Sequence, residues 1–132
     1  MTTPKRNNTM NKLEIVTEIA KGYNNLNSST FEVLASENIS YESQWVLNSL
    51  NGKVETFSYL KQKFETIKQS NTKLFAELAY FGEDPCIILA QDTKENKVAT
   101  LLIGITNEQI TKMTICEVPN WRDAKKTNQY PQ

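Results

Sequence analysis

The sequence contains no histidine, and this absence limits the chemistry that the chain can perform. Nucleophilic serine and cysteine sites of the common kind need an imidazole base, and most protein zinc and iron sites use an imidazole ligand. These kinds of site are excluded. Any proton transfer has to use a carboxylate, a tyrosine, a lysine or a cysteine.

Two acidic pairs and one cysteine are the next candidates for chemistry. Calcium needs six or more oxygen ligands, and neither acidic pair has further ligands at a useful spacing. We therefore interpret both pairs as solvated loop charges, and we expect no metal and no other cofactor. Cys116 has only Lys112, four residues earlier on the same strand, to activate its thiol, so a nucleophilic role is disfavoured. The acidic pairs are Glu83 with Asp84 and Asp92 with Glu95.

The charge balance disfavours a nucleic-acid partner. Fifteen basic residues face fifteen acidic ones, so the formal net charge is zero. Binding to a phosphate backbone depends on a positive electrostatic field, which this composition does not supply. We therefore expect no nucleic-acid partner.

The two cysteines and the apolar runs predict a cytoplasmic protein. Cys86 and Cys116 form no C-x-x-C pair and follow no secretory signal, so free thiols in a reducing compartment are expected. The longest apolar run covers residues 101–105, far below the roughly 20 residues of a membrane span. No membrane partner is expected.

The periodicity of apolar residues predicts one domain over residues 10–121, after a disordered tail at 1–9 and before a polar C-terminal tail at 122–132. Helical spacing predicts a first helix capped by Asn11 and Glu14, a second short helix with a capping box at Ser29 and Glu32, and a long third helix. The long helix covers residues 54–67. Period-two or apolar runs predict strands over 39–47, 73–81, 86–92, 97–106 and 109–118.

Two predicted strands, 86–90 and 98–105, are apolar on both faces. Three helices can cover one face of a sheet, so the other face needs a different partner. A second copy of the chain is the simplest cover, and we predict a homodimer through the outer sheet face.

This order of elements, with the string YESQWVLNSLNGKVETFSYLKQKFETI, resembles the nuclear transport factor 2-like superfamily. Its SnoaL-like and ketosteroid isomerase-like branches are included. The resemblance covers about residues 10–121 and includes Gly52-Lys53 at the start of the long helix. It implies an α+β fold in which three N-terminal helices pack on a curved, mostly antiparallel sheet. Together they would form a cone with an internal pocket.

The ketosteroid isomerase-like branch implies a carboxylate base and a tyrosine that stabilises an oxyanion. By position, Glu42 would be the base and Tyr23 the donor. Strand alternation decides whether this is possible, because Ile39 and Tyr41 share one face and Glu42 lies on the other. The branch's second acid would come from a later strand, where Glu117, near the end of the last predicted strand, is the carboxyl available.

Three hypotheses for the function remain open. The first is a dimeric domain that binds a small, mostly apolar molecule in the cone. The second is an isomerase-like or SnoaL-like enzyme acting on a carbonyl compound, and the third is an interaction module whose cone is filled by its own side chains. The expected pocket lining is Tyr23, Tyr41, Trp45, Phe57, Leu60, Tyr80 and Leu102.

Overall fold

The structure, a computed structural model, describes residues 10–43, 49–116 and 124–132. Helices and strands follow one another along the chain in the order α1, α2, β1, β2, α3 and then β3 to β7, which confirms the predicted α+β class. The helices are α1 (Lys12–Asn25), α2 (Ser29–Glu32) and α3 (Lys53–Gln69). The strands are β1 (Ala35–Ser43), β2 (Leu50–Asn51), β3 (Leu74–Phe81), β4 (Asp84–Gln91), β5 (Lys97–Thr106), β6 (Gln109–Cys116) and β7 (Lys125–Lys126).

These seven strands of the described residues form one curved sheet in the order β2-β1-β6-β5-β4-β3-β7. Neighbouring strands are antiparallel, except that β1 pairs with β6 in parallel. The predicted mostly antiparallel sheet is therefore confirmed. The parallel pair joins the first predicted strand to the last one, so it brings the two ends of the domain together.

Irregular pairing accounts for the curvature of the sheet. The register shifts between Leu89 and Ala90 in β4 and between Gly104 and Ile105 in β5, and each shift inserts extra backbone on one strand. Such bulges bend the strand and increase its twist. The Thr111 hydroxyl donates to the Gly104 carbonyl over 3.2 Å next to the second bulge.

Tight turns connect the central strands where the sequence predicts reversals. Asn107 and Glu108 both have positive φ angles, 53° and 64°, and join β5 to β6 as a two-residue turn. Backbone of this hand matches the right-handed twist of paired strands. Gly82, with φ of 63°, begins the turn from β3 to β4, and Pro85 lies inside β4.

The start of α1 is capped as predicted, whereas the start of α2 is not. Asn11 and Glu14 exchange two hydrogen bonds of 2.8 and 2.9 Å between side chain and backbone. The predicted capping box at Ser29 and Glu32 is wrong, because Ser28 is the N-cap of α2 and makes no side-chain cap. Ser29 instead bonds to the side chain of Asn27.

The helices pack on one face of the sheet, which we call the inner face. Gly52 begins α3 with φ of 97°, a conformation that side chains rarely adopt. From there α3 buries Thr56, Phe57, Leu60 and Phe64. The inner core also contains Ile15, Val16, Ile19, Tyr23, Phe31, Ile39, Tyr41, Ala76, Leu78, Ile87, Leu89, Ala99, Leu101, Ile103, Met113 and Ile115.

The opposite, outer face has a second and smaller core. Ala79, Cys86 and Ile88 are buried there with Ala124, and Phe81 and Leu102 pack against them. A single chain thus buries the outer side of β4, the strand whose two apolar faces suggested a second copy. The homodimer stays a prediction.

Residues 124–132, called the C-terminal segment below, run along β3. Lys125 and Lys126 pair with Tyr80 and Ala79, and the Leu78 N–H donates to the Gln129 carbonyl over 3.0 Å. The sequence predicts a polar tail outside the domain for this region. The structure differs here, because the segment extends the sheet by one short strand. The domain boundaries themselves stay a prediction.

Some sequence predictions fall outside the described residues. They concern the tail at residues 1–9, the pocket residue Trp45 and the end of the last predicted strand. Across the described ranges, none of the helices has both the length and the apolar character required to cross a membrane.

Candidate functional site

A cavity of about 270 Å³ lies between α3 and the inner face of the sheet. Helix α1 supplies Tyr23, α3 supplies Lys63 and Ile67, and strands β3, β4 and β5 supply the rest of the wall. Aliphatic side chains make up most of this wall. The remaining lining residues are Leu74, Leu89, Gln91, Val98 and Ala99.

Tyr23 brings a buried phenol to this cavity. Its ring stacks on Phe31 at 6.0 Å and meets the edge of Phe64 at 5.0 Å, so the ring position is fixed by α2 and α3. The residue is 1% exposed. Its hydroxyl has no hydrogen-bond partner within the described part of the chain. Burial, and to a lesser extent the nearby phenol of Tyr59, raises the pKa of Tyr23 above its ordinary range.

Tyr41 and Tyr59 lie next to Tyr23. The rings of Tyr41 on β1 and Tyr59 on α3 are 5.4 Å apart. The Tyr41 hydroxyl is also buried without a partner at hydrogen-bonding geometry among the residues described. Burial raises the pKa of Tyr41 most, followed by the phenols of Tyr23 and Tyr59. Three phenols from three elements therefore meet at the inner side of the sheet.

Lys63 is the cationic residue of the cavity wall. Its Nζ lies 5.9 Å from the centre of the Tyr59 ring, and burial lowers the pKa of the amine. Lys63 and Ile67 also line a neighbouring cavity of about 430 Å³, which Tyr59, Gln62 and Thr66 complete. The two cavities therefore adjoin along one side of α3.

The predicted pocket lining is only partly reproduced. Tyr23 lines the cavity, while Tyr41, Phe57 and Leu60 belong to the buried core beside it. Tyr80 lines a different cavity of about 340 Å³, formed with the C-terminal segment. Leu102 packs on the outer face. The remaining candidate, Trp45, lies outside the described residues.

Glu42 does not lie with Tyr23. Its side chain is 46% exposed, and its Oε1 is 3.7 Å from Nζ of Lys112 on the neighbouring strand β6. The preceding residue, Tyr41, is fully buried on the inner face, so alternation along β1 directs Glu42 to the outer face. The structure therefore separates Glu42 from Tyr23, and the catalytic roles of these two residues stay a prediction.

Lys63 is a functional candidate that is not among the residues predicted from the sequence. Tyr59, Lys63 and Ile67 are spaced four residues apart, so they form one stripe of α3. In the sequence, a lysine between an aromatic and an aliphatic residue on one stripe of the helix is the pattern that could have indicated this site.

Nothing in the described part of the chain suggests a metal centre. No group of three or more Cys, Asp or Glu side chains in the described ranges is close enough to hold a metal ion. Both cysteines are free thiols, and burial raises the pKa of Cys86 to about 11. The candidate site therefore contains phenols, one amine and one amide.

Comparisons with solved structures identify proteins of the same fold. No protein-family model and no curated protein matches the sequence. A nuclear transport factor 2-like protein of unknown function from Cytophaga hutchinsonii has 15% identity and a TM-score of 0.61, over 92% of this chain and 98% of that one. A SnoaL-like protein of unknown function from Burkholderia thailandensis has 11% identity and a TM-score of 0.63, over 80% and 92%.

A third similar structure carries a functional description. It comes from Sinorhizobium meliloti, is provisionally assigned as a polyketide cyclase, and has 11% identity and a TM-score of 0.56 over 81% of this chain and 100% of that one. At such low identity these likenesses establish the fold and not the activity. The chain has the nuclear transport factor 2-like fold that its sequence resembles.

Proposed function

We propose that this protein binds a small, mostly apolar molecule that carries an oxygen acceptor, in the cavity between α3 and the sheet. The observation that carries the proposal is the hydroxyl of Tyr23. This hydroxyl is buried at the cavity wall and has no hydrogen-bond partner among the described residues.

An unpaired buried hydroxyl is costly for the folded chain. Leaving a buried donor unsatisfied costs about 1–3 kcal/mol, because the group has lost its hydrogen bonds to water. A carbonyl, ether or hydroxyl oxygen of a ligand would accept from Tyr23 and recover that free energy on binding. The site thus gains a hydrogen bond that the free protein lacks.

The cavity walls favour an apolar and small ligand. Ile67, Leu74, Leu89 and Val98 offer aliphatic surface, and burying ligand surface against them contributes about 25 cal/mol per Å². A volume of about 270 Å³ lies just below the roughly 300–1,000 Å³ typical of ligand pockets. The ligand would therefore be smaller than most drug molecules.

The enzyme hypothesis has less support in its original form. A carboxylate base needs to reach the bound molecule, and the described residues of the cavity wall include no Asp or Glu. Glu42 lies on the other side of the sheet. A binding role needs no base and fits the wall as it stands, and the open volume argues against a cone filled by its own side chains.

A titration followed by amide NMR would test the proposal. The probe is 2-heptanone, an apolar ketone. Amide signals of Leu89, Val98 and Ala99 should shift together and saturate. Tyr23→Phe should weaken binding by about five- to tenfold, the equivalent of about 1 kcal/mol for one neutral hydrogen bond.

Tyr80→Phe is the matched control, because Tyr80 lines a different cavity. It should leave the affinity unchanged. Shifts confined to other parts of the protein, or equal affinities of the wild type and Tyr23→Phe, would contradict the proposal.

A further inference from the structure

Lys63 stands out in the proposed binding cavity because removing an ammonium group from water costs free energy. Burial in apolar surroundings disfavours the ammonium form, and burial is the cause of its lowered pKa. A larger fraction of neutral amine is then present near neutral pH than at a solvated lysine. Neutral amines are nucleophiles, and desolvated lysines are the ones that react with carbonyl carbons.

The position of Lys63 suits a reaction inside the cavity. It lines both adjoining cavities together with Ile67, so an apolar molecule in either one contacts this part of α3. Tyr23 lines the same cavity from α1, and its hydroxyl is free to donate to an oxygen there. An amine and a hydrogen-bond donor from two different helices thus face one apolar space.

We propose that Lys63 captures small apolar aldehydes in this cavity as a reversible imine, with Tyr23 donating a hydrogen bond to the aldehyde oxygen. The proposal rests on the proposed function, since the aldehyde must first occupy the cavity. It deepens that function by naming the class of ligand. It also assigns the lysine a covalent role.

The reaction needs no oxidant or reductant. The lone pair of the neutral Nζ forms a bond to the carbonyl carbon, and a proton passes from nitrogen to oxygen to give a carbinolamine. Protonation of the new hydroxyl then lets it leave as water, while the nitrogen lone pair forms the C=N bond and the last N–H proton is released. The Tyr23 hydroxyl stabilises the oxygen as negative charge develops on it.

Reductive trapping of the wild-type protein tests the proposal without any substitution. The folded protein is incubated with an equimolar amount of hexanal and sodium cyanoborohydride at pH 7, then digested and mapped by mass spectrometry. Burial lowers the pKa of Lys63, so part of its amine is neutral and able to react at pH 7. Hexyl groups should therefore accumulate several-fold more on Lys63 than on Lys61, and equal labelling of the two would overturn the proposal.

Lys61 is the matched reference because it lies two residues away on the same helix, is exposed, and pairs with Glu32 at 3.2 Å. Lys63→Arg keeps a positive charge but offers no neutral amine, and it should abolish the preferred labelling. Lys61→Arg should leave the labelling of Lys63 unchanged. Loss of Lys63 labelling in that variant would contradict a reaction confined to the cavity.

Binding of 1-hexanol separates the two proposals, because this alcohol has the shape of hexanal but forms no imine. If hexanol shifts the amide signals of Leu89 and Ala99 while hexanal labels Lys63 no faster than Lys61, the imine is wrong and the binding function stands. If hexanol does not bind and Lys63 is not preferred, both fail. Binding of hexanol together with preferred labelling of Lys63 supports both.

Discussion

The hydroxyls of Tyr23 and Tyr41 carry a desolvation cost in the folded protein. Both are buried on the inner face, and neither has a partner at hydrogen-bonding geometry in the described part of the chain. Phenylalanine would fill the same space without a polar group to desolvate. The tyrosines therefore lower stability in the free protein, which is common for groups that serve a binding site.

At the scale of this residue we expect Tyr23→Phe to increase the free energy of unfolding at pH 7 by about 1 kcal/mol. Urea denaturation followed by circular dichroism measures it. Tyr80→Phe, at a half-buried position, should change stability by less than about 0.5 kcal/mol. A destabilised Tyr23→Phe protein would mean that the hydroxyl has a partner.

The same phenols make the fold sensitive to alkali. The folded pKa values of Tyr23 and Tyr41 are raised above the ordinary value of 10.0, so the unfolded chain releases these protons first. Their contribution to stability is complete below about pH 10 and is lost as the pH rises toward the folded values. Each phenol contributes a slope of up to about 1.4 kcal/mol per pH unit.

Denaturation of the wild type and of Tyr41→Phe between pH 9 and pH 11.5 should therefore give stability curves that diverge, with the steeper decrease in the wild type. Lys63 acts in the opposite direction, since its pKa is lowered from 10.5. Its effect is common to both proteins and cancels in the difference. Parallel curves would contradict the prediction.

At the scale of elements, the junction of α1 and α2 depends on the absence of a side chain at Gly22. A Cβ atom there would lie 2.6 Å from Cδ1 of Phe31 and 2.7 Å from the Thr30 hydroxyl, closer than real Cβ atoms approach. The Phe31 ring cannot withdraw easily, because it packs against Tyr23 and Phe57.

Gly22→Ala should thus destabilise the protein by about 1–3 kcal/mol, although alanine favours a helix by about 1 kcal/mol over glycine. Thermal or urea denaturation measures the change. Lys21→Ala is the neighbouring control. It removes a half-buried ion pair with Glu18 and should cost less than about 1 kcal/mol. A stabilised Gly22→Ala protein would show that α2 can shift without cost.

The C-terminal segment is held to β3 through Glu77, whose side chain is 2% exposed. The carboxylate accepts from the Asn128 N–H over 2.8 Å and from the Tyr130 hydroxyl over 3.3 Å. It also lies 3.6 Å from Nζ of Lys97. Breaking a buried pair by removing one partner leaves charge and donors unpaired.

Glu77→Ala should therefore destabilise the protein by about 3 kcal/mol and speed proteolytic cleavage within residues 124–132. Urea denaturation and limited trypsin digestion measure the two effects, since Lys125 and Lys126 offer cleavage sites. Glu65→Ala, on the exposed side of α3, should change neither. Unchanged cleavage in Glu77→Ala would show that strand pairing alone retains the segment.

Long periodic elements could be predicted from the sequence, and short or non-local features could not. Strands β3 to β6 and helices α1 and α3 are long enough to show a period of 2 or 3.6 residues. Strands β2 and β7 have two residues each, and two residues show no period. The parallel pairing of β1 with β6 could not be predicted from a local pattern, because it joins segments that are far apart in the sequence.

The candidate site was predictable only in part for a related reason. Alternation in residues 39–47 establishes two faces, but it does not say which face meets the helices. The structure resolves this through the buried Ile39 and Tyr41, which places Glu42 outside. The role of Lys63 depends on desolvation, which results from the packing of α3 on the sheet and is not visible in residue type.

At the scale of the whole molecule, the homodimer remains the prediction to be measured. Sedimentation equilibrium of the full chain at micromolar concentration should give twice the mass of one chain. Thr114→Arg should shift the mass toward the monomer, because Thr114 faces outward on β6. Ser58→Arg, on the exposed side of α3, should not. A wild type that sediments as a single chain would contradict the prediction.

The parallel pairing of β1 with β6 also has a consequence for biosynthesis. The ribosome makes α1, α2 and β1 first, but the partner of β1 is complete only at Cys116. The Asn24 side chain bonds to Ala76 and, over 2.7 Å, to the Pro131 carbonyl. Apolar surface of the nascent chain therefore stays uncovered until translation of these residues is almost finished, a stage at which chaperones act.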